Sequence, residues 1–126
     1  MFSIFKKKHV LAKFYPNEIE VIRLDNMRSL KRKSNQQFST ERMIVADFHV
    51  AEQLLSQLLK EIKGNSLFNQ IVLITQQKYD FPDGLSEAEK RIYRDLAEHA
   101  GALEVYILKD SKEIPVSEIF SLIKNH

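Results

Sequence analysis

The chain has 126 residues, 44% hydrophobic and 29% charged, with only three glycines and three prolines, a composition that fits one globular domain with a real core and excludes a disordered chain. It has no cysteine, which excludes disulfides, thiolate metal sites and cysteine nucleophiles and makes a reducing, cytoplasmic setting the default. Net charge is +2, yet residues 1–33 hold nine Lys or Arg against three Asp or Glu, so the basic character sits at one end and points to an anionic partner.

The first eight residues, Met1 to Lys8, put Phe2, Ile4 and Phe5 beside Lys6, Lys7 and Lys8. This is the composition of a peripheral anchor on the inner face of a membrane, and it makes these six residues candidate membrane contacts. Attachment would be weak, since each basic residue near an anionic leaflet contributes about 1 kcal/mol. The plain alternative is a frayed terminus leading into a first strand. No apolar stretch follows the lysines, so the segment does not read as a signal peptide. The longest apolar runs, such as Ile71 to Ile74, fall far short of the roughly 20 residues of a spanning helix.

Val10, Ala12 and Phe14 alternate with Leu11 and Lys13, and a second run follows Tyr15-Pro16-Asn17-Glu18 over Ile19 to Leu24; the pattern predicts a β-hairpin. Met27 to Lys33 predicts a third strand, on an exposed edge where Arg28, Lys31, Arg32 and Lys33 are tolerated and discourage edge-to-edge pairing. Ser34 to Gln37 is a polar loop. Asp47 is a good N-cap for a helix with an apolar stripe at Ala51, Leu54, Leu55, Leu58, Leu59 and Ile62, stopped by Gly64. Ile71 to Ile74 predicts a strand buried on both faces. After a turn over Tyr79 to Gly84, Ser86 and Glu89 form a capping box for a second helix, closed by Gly101. Leu103, Val105 and Ile107 alternate in another strand, and Pro115 opens a last helix carrying Val116, Ile119, Phe120 and Ile123. The order is β-β-β-α-β-α-β-α, an antiparallel hairpin followed by a parallel half, because the strand, capped helix and strand from Ile71 to Ile107 make a crossover unit.

Chemistry has no evident carrier. His9, His49, His99 and His126 fall on four different elements, without the spacing of a metal site. Asp80 to Gly84 lacks the alternating oxygen ligands of a calcium loop. No phosphate-cradling glycine motif and no nucleophile elbow is present, so no cofactor is expected. Arg28, Lys31, Arg32 and Lys33 are candidate anion contacts for RNA or DNA phosphates, although no aromatic residues interleave to stack bases. An enzyme reading would rest only on His49, Glu52 and Glu89 lying near helix starts.

Three stretches together resemble the actin-like rod-shape-determining proteins of bacteria, the MreB family. Val45-Ala46-Asp47-Phe48-His49-Val50-Ala51-Glu52 is similar to that family's A-D-F-x-V-T-E helix start. Gly84-Leu85-Ser86-Glu87-Ala88-Glu89-Lys90-Arg91 is similar to its G-x-T-x-V-E-R-R segment and runs into Ala100-Gly101-Ala102-Leu103-Glu104-Val105-Tyr106-Ile107, like its A-G-A-R-E-V-x-L-I. The N-terminal block resembles its basic-apolar leader and first strand. The resemblance implies one actin-type (ribonuclease H-like) subdomain over 1–126, a mixed five-stranded sheet ordered 3-2-1-4-5 with helices packed on it, with residues 1–8 as a membrane-proximal leader.

The departures matter equally. Where the family carries a D-x-G-T phosphate loop, this sequence has Lys13-Phe14-Tyr15-Pro16. The chain ends near where the family's second phosphate loop and second domain begin, and the family's inserted subdomain ahead of Asp47 is reduced to a short polar and basic connection. Glu89 takes the place of the family's water-orienting glutamate but has a structural reason as the third residue of its capping box; Asp47, Glu52 and Ser86 are likewise family-motif positions with structural roles. The expectation is a degenerate nucleotide site without ATPase activity, in an interaction or scaffolding module linked to cell shape and the actin-like cytoskeleton. Its expected partner is a protein or a second copy, and the alternative is a small RNA- or DNA-binding protein.

Overall fold

The computed structural model describes residues 6–64, 69–82 and 84–124. In chain order these form β1 (Lys6–Tyr15), β2 (Glu18–Arg23), β3 (Ser29–Lys33), α1 (Phe48–Lys63), β4 (Asn69–Gln77), α2 (Glu87–His99), β5 (Glu104–Ile107) and α3 (Val116–Lys124). The strands make one mixed sheet ordered β3-β2-β1-β4-β5, the actin-type arrangement. β1 pairs antiparallel with β2 and parallel with β4, in register from Lys6 opposite Asn69 to Phe14 opposite Gln77. β3 extends the antiparallel side and β5 the parallel side.

Side chains alternate across a strand, so the two central strands need cover on both faces. Val10, Ala12, Phe14, Ile71 and Leu73 face α1 and α2, joining Leu55, Leu58, Ile62, Tyr93 and Leu96 in the larger core. Leu11, Leu24, Ile74 and Leu108 face the other way and meet Ile119 of α3. The two covers are unequal, since α3 has nine residues and Ile119 is its only fully buried side chain among those described.

Local chemistry sets the helix limits. Asp47 accepts from the Val50 amide at 3.2 Å to start α1, and Gly64 leaves it at φ 80°. Ser86 and Glu89 exchange both hydrogen bonds of the capping box at 3.1 Å. The strands are longer than the apolar runs suggest: β1 begins at Lys6, so it takes in the last three residues of the leader expected over 1–8, and β4 continues through Gln76 and Gln77. Pairing with a neighbouring strand extends a strand past its apolar pattern.

The segment between β3 and α1 is more than a polar connection. Phe38 is 1% exposed and Ile44 2%, and both plug the larger core. Asn17, in the turn after β1, holds them in place. Its φ is 56°, a left-handed conformation that asparagine tolerates. Its side-chain oxygen accepts from the amides of Phe38 and Ser39, each at 2.8 Å, while its own amide donates to Ser39 Oγ. Ser39 Oγ in turn donates to the Ile44 carbonyl. Asn17→Ala should therefore lower stability by about 1–3 kcal/mol through lost acceptors and backbone strain. Asn17→Gly, which keeps the φ, should lose less, and urea unfolding of the two variants checks the order.

Candidate functional site

In open α/β sheets ligands gather outside the carboxyl ends of the parallel strands, and here that edge is polar. Lys13 and Gln76 are direct neighbours on β1 and β4, on the face shared with α3. Both are buried, Lys13 at 7% exposed and Gln76 at 2%. Buried polar groups need partners, and these come from residues 110–113, in the connection between β5 and α3. Lys13 Nζ donates to both carboxylate oxygens of Glu113, at 2.9 and 3.0 Å. Gln76 Nε2 donates to the carbonyls of Asp110 and Lys112, at 3.1 and 2.7 Å. Lys78 Nζ donates to the Ser111 carbonyl at 2.5 Å and lies 3.8 Å from Glu113. Ser111 Oγ donates to Asp80 at 2.5 Å. Hydrogen bonds from Lys13 hold the Glu113 carboxyl below its ordinary value of 4.5.

On the opposite face at the same edge, Tyr93 donates to the Gln77 side-chain oxygen at 2.6 Å, and Gln77 Nε2 donates to the Tyr79 carbonyl. Burial pushes the Tyr93 hydroxyl far above its ordinary range, so it stays a neutral donor. Nearby Thr75 Oγ1 is the single fully buried side-chain polar atom without a hydrogen bond among the described residues.

The four residues read against the phosphate loop have other tasks here. Phe14 is fully buried, with its ring 4.9 Å from that of Tyr93. Tyr15 lies under the Lys31 ammonium, 4.5 Å from ring centroid to Nζ. Pro16 and Asn17 close a two-residue turn, with none of the glycine that lets a backbone approach phosphate closely.

The other candidate residues do not converge. Strand alternation splits the basic run: Arg32 reaches α1 and pairs with both oxygens of Glu61 at 2.6 and 3.0 Å, while Lys31 points to the other face, 3.8 Å from Glu18. Arg28 and Lys33 are exposed. Of the membrane candidates, Phe2, Ile4 and Phe5 lie outside the described residues. The Lys6 backbone pairs with Asn69, and Lys7 and Lys8 pair on opposite faces with Glu104 and Asp25. Asp47, Ser86 and Glu89 act as caps, and Glu52 is half-buried on α1. His9 packs edge-on against Phe120 and His99 against Phe48, on opposite faces of the sheet.

Gln76, Lys78 and Glu113 were not singled out from the sequence, because the site joins positions up to 100 residues apart. One signal was available: the apolar run of β4 gives way to Thr75-Gln76-Gln77-Lys78 while the strand continues.

No family model matches the chain. Among curated proteins, the cell shape-determining protein MreB of Escherichia coli K12 is 31% identical over 83 residues, covering 60% of this chain and 22% of that protein. The MreB proteins of Salmonella typhimurium and Shigella flexneri match with the same figures. The chain resembles one subdomain of MreB. It spans only 22% of the length of these relatives. The stretches that resemble MreB in sequence fall on the start of α1, on α2 and on β5. Among solved structures, the ethanolamine utilization protein EutJ of Carboxydothermus hydrogenoformans superposes with a TM-score of 0.59 over 82% of this chain and 36% of that one, at 14% identity. That likeness concerns the fold.

The Lys13–Glu113 pair is asymmetric, one partner buried and the other 74% exposed by side chain. Removing the carboxylate strands a buried cation, whereas removing the lysine returns Glu113 to water. Glu113→Gln should thus destabilise by about 1–2 kcal/mol, and Lys13→Met by less. The pH dependence has a definite sign. Because the folded pKa of Glu113 is depressed, its contribution is complete above its unfolded value and is lost as pH falls through the folded one. Glu113→Gln should flatten the acid limb of thermal stability below about pH 4.5 and leave its slope at neutral pH unchanged.

Proposed function

We propose that this chain is a non-enzymatic, MreB-like interaction or scaffolding module of the cytoplasm, acting with the cell-shape machinery on the inner face of the membrane. The observation that carries this reading is the fate of the phosphate-loop positions. By the resemblance Lys13 stands where the family carries a metal-holding acid, and its ammonium is covered by the protein's own Glu113. A metal-nucleotide phosphate is doubly disfavoured there, by the missing carboxylate and by the turn that Pro16 and Asn17 close without glycine. The relatives' name, cell shape-determining protein, supports a cell-shape setting, and the sheet order supports the fold.

The reading as an RNA or DNA binder is weaker, because Arg32 and Lys31 already have acidic neighbours and face opposite ways. Two measurements test the proposed function. Equilibrium titration with a fluorescent ATP analogue and magnesium should give no saturable binding at micromolar protein. Turnover of ATP that disappears in Glu89→Gln would overturn the non-enzymatic reading. For the membrane link, replacing Phe2, Ile4 and Phe5 with serine should reduce co-sedimentation with anionic liposomes; equal partitioning removes that part of the proposal. Substitution suits this test better than deletion of Met1 to Lys8, because Lys6 to Lys8 belong to β1.

A further inference from the structure

At the carboxyl ends of β1 and β4 five hydrogen bonds leave three side chains, Lys13, Gln76 and Lys78, and every one ends on an oxygen atom of residues 110–113. The donors belong to the rigid sheet and its first residue beyond, and the acceptors belong to a connection. Glu113, the only charged acceptor of the set, is mostly in water. A segment serving merely as a plug over a strand end needs no buried ammonium beneath it, since burying a cation costs far more than burying a methionine of similar length.

We propose that Lys13, Gln76 and Lys78 form an oxyanion site whose built-in occupants are the Glu113 carboxylate and the carbonyls of Asp110, Ser111 and Lys112, displaced together when a small anion of the phosphate or sulfate class binds. Such an anion presents several acceptor oxygens from one centre, as residues 110–113 now do from four. With Glu113 withdrawn, two ammonium groups remain against the nearby carboxylate of Glu20, which sits across from Lys13 on β2 and has the Tyr15 hydroxyl 3.5 Å away. Asp80, which accepts from Ser111 Oγ, follows β4 and is not part of the connection, so it is a second carboxylate beside the site. The ligand is a bare oxyanion, not a metal nucleotide; the site rests on the same Lys13–Glu113 pair as the proposed function, and the phosphate response is read separately from nucleotide binding.

Displacement has a structural output. Residues 110–113 lead through Ile114 and Pro115 directly into α3. A cleft of about 700 Å³ lies under this connection, lined by Ile74, Leu108, Ile114, Leu122 and Ile123 among others. An anion that lifts Glu113 therefore loosens the seat of α3 on the sheet.

Inorganic phosphate is the probe, compared with chloride at equal ionic strength, and the readouts are thermal stability and the NMR shifts of the Gln76 side-chain amide. Wild type should respond weakly, because a tethered carboxylate competes at high effective concentration; Glu113→Gln should bind phosphate about tenfold more tightly. The double variant Lys13→Met with Glu113→Gln should show neither the amide shift nor any stabilisation beyond the general effect of phosphate on folded proteins. Equal responses in the single and double variants would overturn the site. So would a folded Glu113→Gln protein whose Gln76 amide ignores phosphate. Should Glu113→Gln not fold, the wild-type titration decides: a saturable Gln76 shift that Lys13→Met abolishes supports the site, and a flat titration overturns it.

Discussion

The parallel ladder between β1 and β4 is the constraint on which the molecule is built. Two parallel neighbours cannot be joined by a tight turn, so the chain must leave β1, make its antiparallel excursion through β2 and β3, and return by way of α1. Both central strands are apolar on both sides, which obliges the protein to cover two faces. α1 and α2 cover one face with a broad core, and α3 covers the other with Ile119 fully buried and Val116, Phe120 and Ile123 partly so. The segment carrying Phe38 and Ile44 exists in its folded form because the turn after β1 supplies Asn17 to hold it.

Much of this was legible in the sequence where local chemistry and long-range packing agree. The Asp47 cap, the Ser86–Glu89 box and the apolar stripe of α1 each state their element in a few residues. The hairpin around Pro16 and Asn17 reads equally well. What stayed hidden was set by partners far away in sequence. Phe38 looks like an isolated apolar residue in a polar stretch, and Ile44 like part of a short apolar run ahead of α1, until Asn17 is seen to hold the segment on the core. Lys13 reads as one charge in an alternating strand, and only the chain's return at Glu113 reveals that it is buried and paired.

Strand geometry also governs what the basic residues can do. A run of lysines or arginines on a helix or in an extended tail gathers into one field, but in a strand it is divided by the two-residue period. Lys7 and Lys8, and again Lys31 and Arg32, are neighbours in sequence with partners on opposite faces. The N-terminal excess of positive charge is thus distributed around one half of the sheet, where it shields the β3 edge and ties β1 to β5 through Glu104.

The shallow seating of α3 has a consequence for how the molecule moves. Free energies of opening vary across a native structure and follow the apolar area each unit buries. A helix with one fully buried side chain, supported by the partly buried Val116, Phe120 and Ile123 and by the polar contacts of the preceding connection, belongs toward the lower end of that range. On this ground its amides should exchange with solvent before those of β1 and β4, which lie at the centre of the sheet. Detachment of α3 alone would uncover the sheet surface beneath it, Leu11 and Ile74 included, and leave the larger core on the other face in place.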